Sequence, residues 1–101
     1  MVLALKTSGI RAAVPTPAKI YRDSKEVAAN LDCEAPVLCF SPGTLAGRAR
    51  LFTEGFPGEV AYAVKANPCP QVINVLAQAG VSVFDVASTR EMETIAWICP
   101  G

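Results

Sequence analysis

The sequence has no histidine and no excess of charge of either sign, with nine basic residues set against nine acidic ones among 101. Without histidine, Ser-His and Cys-His nucleophilic arrangements are excluded within these residues. Balanced charge leaves no basic footprint for nucleic acid or for an anionic membrane surface. Apolar runs fall far short of the roughly 20 residues a membrane span needs. The opening MVLALKTSGIRAAV lacks a basic region ahead of its apolar patch, so it makes a poor secretion signal. Cys33, Cys39, Cys69 and Cys99 form no close CxxC pair, which removes the common zinc-site spacings. The expectation is a cytoplasmic protein that binds neither nucleic acid nor membrane, holds no metal and keeps its thiols reduced and mostly buried.

What the chain does have is apolar content, 51%, enough to form a core. Its organising stretch is VAYAVKANPC, Val60 to Cys69. Val60 to Val64 form an unbroken apolar, β-favouring run, which reads as a parallel strand covered on both faces and ending on Lys65. Asn67, Pro68 and Pro70 then stop it. A lysine at the carboxyl end of a parallel strand lies where α/β sheets and barrels do their chemistry. Long side chains also end strands at the solvent boundary for no chemical reason, with the stem on apolar surface and the charge in water.

Along the rest of the chain, Met1 to Val14 is compatible with an edge strand or a disordered lead. Pro15 and Pro17 argue against a helix around Thr16. From Ala18 the pattern turns helical in short pieces, and Asp23 with Glu26 suggests a capping box that opens a brief helix to about Leu31. Val37 to Phe40 reads as a buried strand stopped by Ser41-Pro42-Gly43. Thr44 to Phe56 reads as a helix whose stripe is Leu45, Ala49, Phe52 and Phe56, with Arg48, Arg50 and Glu54 facing water. Those arginines are imaginable as phosphate binders, but a solvated helix face accounts for them better.

A second helix is expected from about Pro70 to Ala79, buried through Val72, Ile73, Val75, Leu76 and Ala79 and stopped by Gly80. A strand follows at Val81 to Val86, giving a right-handed βαβ unit. Ser88-Thr89-Arg90-Glu91 fits a capping box for a last helix with Met92, Ile95, Ala96 and Cys99 on its apolar stripe. Trp97 packs at the edge of that stripe or reaches a further element.

YAVKANP followed by GVSVFDVASTRE resembles the amino-terminal barrel segment of the fold-type III pyridoxal-phosphate decarboxylases, the group of ornithine, lysine and diaminopimelate decarboxylases. The likeness runs over about residues 16–99 and is strongest over 61–91. It implies an α/β fold, the amino-terminal portion of a TIM (β/α)8 barrel of the alanine racemase-like type. Residues 1–35 would be a lead segment and residues 36–101 the first strands and helices. A whole barrel needs on the order of 250 residues, so the chain reads as a truncated piece, inactive alone and marginal or prone to aggregate.

The resemblance further implies pyridoxal 5'-phosphate as cofactor, carried as a Schiff base on Lys65, with Asp85, Ala63 and Glu91 beside it. Burial at a barrel mouth would favour the neutral amine that attacks an aldehyde. Asp85 has a purely local alternative, bonding the amides of the turn that follows, and for Glu91 the capping role is sufficient. CFSPG stands where the family usually has an acidic, apolar VVDLD-like text, a departure from the family pattern that does not touch Lys65. FDVAS leans towards the ornithine and lysine branch, so decarboxylation of a basic amino acid, ornithine first, by a homodimer is the expected activity. Diaminopimelate or lysine decarboxylation, alanine racemization, a small pyridoxal-phosphate carrier and a non-catalytic relative that binds a protein partner are the alternatives.

Overall fold

The structure, a computed structural model, describes residues 2–6, 19–32 and 34–101. The prolines around Thr16, and Cys33, lie outside the described residues. Two compact units cover residues 1–42 and 43–101.

The first unit is built on an antiparallel sheet. Strand β1, Val2–Lys6, is its middle strand and neither an edge nor a disordered lead; β2, Ile20–Tyr21, and β3, Val37–Phe40, flank it. β2 lies where the pattern first reads as helical. β3 pairs with β1 from Leu3↔Phe40 to Lys6↔Val37, antiparallel. The sequence reading expects a covered strand here, yet Leu38 and Cys39 are exposed and only Phe40 is buried. An apolar run reads alike for a doubly covered strand and for an apolar strand with a single neighbour. The Cys39 thiol is therefore exposed, contrary to expectation, while Cys69 and Cys99 are half-buried; all three are free.

Helix α1, Ser24–Asn30, opens on the expected box. Asp23 Oδ1 accepts from the Glu26 N–H at 2.9 Å, and Glu26 Oε2 accepts from the Arg22 N–H. The Glu26 N–H bond is the main cause that holds the Asp23 carboxyl below its ordinary 3.8; slight dehydration opposes it, and the Arg22 guanidinium helps. A depressed carboxyl stabilises the fold above its unfolded pKa and loses that contribution as pH falls through the folded one. Helicity at residues 24–30, followed by NMR, should therefore weaken as pH drops below 3.8, and Asp23→Asn should flatten that response.

The second unit contains α2, Pro42–Gly55, then β4, Ala61–Ala63, a single 3-10 turn at Val64–Ala66, α3, Pro70–Gln78, β5, Val83–Asp85, and α4, Thr89–Ile98. β4 and β5 are parallel, in register at Ala61↔Val83, Tyr62↔Phe84 and Ala63↔Asp85, with α3 as the crossover. Pro70 suits the first helical position because its missing N–H would have had no partner there. α3 ends as the sequence predicts. Gly80 takes φ +103°, its N–H donates to the Ala77 carbonyl at 3.1 Å, and the Val81 N–H donates to the Leu76 carbonyl at 3.0 Å. Leu76 and Val81 are both buried across this stop, the apolar contact that accompanies such an ending.

Val64 and Ile73 are wholly buried and Val72, Leu76 and Val81 nearly so. Each such side chain contributes on the order of 1.5–3 kcal/mol of transfer free energy. The other expected stripes are only partly covered, with Leu45, Ile95 and Cys99 half-buried. On α2 only Ala49 is buried, with Phe52 at 65% and Phe56 at 57% exposure, and on α4 none is buried, with Trp97 at 67%. Periodicity shows which residues share a helix face; it does not supply the element that covers them. Arg48, Arg50 and Glu54 do face water. Among the described residues no helix is long and apolar enough to cross a membrane.

Candidate functional site

In a parallel pair, registered residues point to the same face and successive residues to opposite faces. Tyr62 and Phe84 therefore share one face, where their rings meet edge to face with centroids 6.4 Å apart and planes at 79°. Ala63 and Asp85 share the other face, at the carboxyl end of both strands.

Lys65 follows directly. The sequence reading ends the strand on this lysine, but β4 stops at Ala63 and Lys65 is the middle residue of the 3-10 turn. Within the turn Val64 is wholly buried and Lys65 is exposed beside it. The dry surroundings expected for the amine are thus not provided by the described residues. The amine makes no hydrogen bond or ion pair among them.

The exit from the turn is closely bonded. The Tyr62 hydroxyl donates to the Asn67 carbonyl at 3.1 Å, Asn67 Oδ1 accepts from the Cys69 N–H at 3.1 Å, and Cys69 Sγ donates to Gln71 Oε1 at 2.7 Å. Burial, the largest cause, pushes the Tyr62 hydroxyl above its ordinary 10.0. The phenol thus remains a donor throughout the neutral range.

Asp85 ends β5, exposed and without a hydrogen bond or ion pair among the described residues. Glu91 does have a local task. Its own N–H donates to Ser88 Oγ at 3.1 Å, and its Oε2 accepts from the Ala87 N–H at 2.6 Å. The capping box at the start of α4 is present, with the carboxylate reaching one residue further back than Ser88. The turn amide that Asp85 was weighed against is taken by Glu91.

Lys65, Ala63 and Asp85 thus gather at one rim of the parallel pair. The amine and the carboxylate are both unengaged there, and Ala63 contributes only a methyl on the face Asp85 shares. A free primary amine is the donor that an aldehyde cofactor requires, so these residues fit the aldehyde end of pyridoxal phosphate. An apolar depression of about 390 Å³ lies at the opposite rim, against Val81, Phe84, Ile95 and Cys99, and so is not this site. Sequence reasoning missed the Tyr62 hydroxyl bond, since a contact to a carbonyl five residues ahead leaves no pattern to read. The Asn67-Pro68 signal marked the turn but not its fastening.

Residues 43–98 match the family described as pyridoxal-dependent decarboxylase, pyridoxal binding domain. The match begins where the second unit begins. No curated protein and no solved structure matches the chain. The cofactor of this family is pyridoxal phosphate. With more than half of its length inside the match, the chain belongs to the pyridoxal-dependent decarboxylases, through their pyridoxal-binding domain.

Proposed function

We propose that this chain carries the cofactor lysine of a decarboxylase acting on a basic amino acid, ornithine before lysine or diaminopimelate. The carrying observation is the placement of Lys65, an unengaged amine just past the carboxyl end of a parallel strand and inside the family match. Pyridoxal phosphate, when bound, supplies an electron sink for the pair released as carbon dioxide leaves. Lys65 Nζ would hold the cofactor covalently and would be the group at hand to move a proton. Asp85, free of local duties, would flank the cofactor from the end of β5, and Ala63, its partner in register, would crowd the site least. Glu91 supports the site by fixing the start of α4.

The two parallel strands and their helices are, in this reading, part of a (β/α)8 barrel that begins near residue 36. Closure of its mouth provides the water exclusion that the exposed amine lacks. The protein acts as a cytoplasmic homodimer. FDVAS at 84–88 supports ornithine over diaminopimelate. Release of carbon dioxide by the full-length protein from ornithine, lysine and diaminopimelate, compared by kcat/KM, tests the choice. Ornithine should lead by at least about tenfold, equivalent to ~1.4 kcal/mol of transition-state discrimination. Equal rates, or a lead for diaminopimelate, would contradict it.

A further inference from the structure

Lys65 stands on weak local structure. A 3-10 turn has poorer hydrogen bonds than an α-helix, and this one, Val64–Ala66, has no side-chain cap at Ala63. Two contacts compensate. At the near end Val64 is wholly buried. At the far end the Tyr62 hydroxyl reaches over the turn to the Asn67 carbonyl at 3.1 Å. Tyr62 is itself steadied by the edge of Phe84, and Phe84 directly precedes Asp85 on β5. One aromatic ring therefore touches the turn that carries the amine and the strand that carries the carboxylate. A lysine on a long flexible stem needs such a fixed base, because small misplacements of a reacting group cost large factors in rate.

We infer that Tyr62 is a positioning residue for Lys65: its hydroxyl clips the lysine turn closed and its ring ties that turn to the strand bearing Asp85. This rests on Lys65 being the attachment point for the cofactor. Tyr62→Phe keeps the ring contact and removes only the clip.

The test uses the full-length protein incubated with a large excess of pyridoxal phosphate, so that surface lysines also label, and reduced with borohydride, with labelling rates read by peptide mass spectrometry at Lys65 and at exposed Lys25. Thermal melting confirms that each variant is folded. Tyr62→Phe should slow labelling at Lys65 about fivefold relative to Lys25, equivalent to about 1 kcal/mol for one lost hydrogen bond. Phe84→Leu, which keeps the hydroxyl but removes its support, should lower the ratio in the same direction and serves if Tyr62→Phe does not fold. An unchanged ratio in the folded variant, with Lys65 labelled in the unsubstituted protein, overturns the inference alone. Absence of label at Lys65 in the unsubstituted protein removes the functional reading and this inference with it.

Discussion

Replacing Lys65 by alanine in the full-length protein should lower decarboxylation by a factor on the order of 10³ while leaving the fold intact. The size follows from the role proposed for the residue: positioned proton transfer contributes roughly 10²–10⁴-fold. Loss of covalent attachment adds to that. The fold should survive because Lys65 is exposed and bonds nothing among the described residues, whereas the turn is held by its neighbours Val64 and Tyr62. Lys65→Arg should be nearly as inactive, because a guanidinium stays protonated and cannot attack an aldehyde. Near-normal turnover in folded Lys65→Ala would remove the lysine from the chemistry, and parallel loss in Lys25→Ala would show that the effect is not specific.

Ile73→Ala should be the most damaging single core change, costing about 3 kcal/mol within the 2–5 typical of such truncations. Ile73 is wholly buried in α3, on the side where Val72, Leu76 and Val81 are also withdrawn from solvent. Few other side chains share that burden in the second unit, because the stripes of α2 and α4 are largely open. For a small unit the loss corresponds to a fall in melting temperature of roughly 10–20 °C, measured by circular dichroism or calorimetry. Ile73→Val, one methylene smaller, should cost only about 1 kcal/mol. Equal melting temperatures for Ile73→Ala and the unsubstituted protein would mean that the second unit does not unfold with its core. Phe52→Ser on exposed α2 supplies the contrast, with little change expected in melting.

Local signals were legible where the physics is local. The Asp23–Glu26 and Ser88–Glu91 boxes, proline at the start of α3 and the left-handed Gly80 all follow from a few neighbouring atoms, and each is present. The βαβ order and the buried face of α3 were legible too, since strand and helix periods differ and the crossover is long enough. Burial of the strands was not. Val37 to Phe40 and Val60 to Val64 look fully covered as strings, but a string does not record how many neighbours a strand has. The pairing of β3 with β1 depends on residues more than thirty positions apart.

The site was half legible. YAVKAN and FDVAS pointed to Lys65 and Asp85, and the parallel register sets their strand ends side by side. The shift of Lys65 from strand to turn was hidden, because it depends on Val64 finding the core and on the Tyr62 hydroxyl finding a carbonyl. Both are tertiary events. For Glu91 the capping role was already sufficient, and its bond to the Ala87 amide shows that role at work. That leaves Asp85 as the carboxylate without a local task at this rim.

The most direct measurement is the identity of the modified residue after the full-length protein is loaded with pyridoxal phosphate and reduced with borohydride. The account predicts a single pyridoxyl adduct, on the peptide containing Lys65, with Lys6, Lys19 and Lys25 unmodified at stoichiometric loading. An adduct concentrated on any of those three, with Lys65 bare, would contradict it.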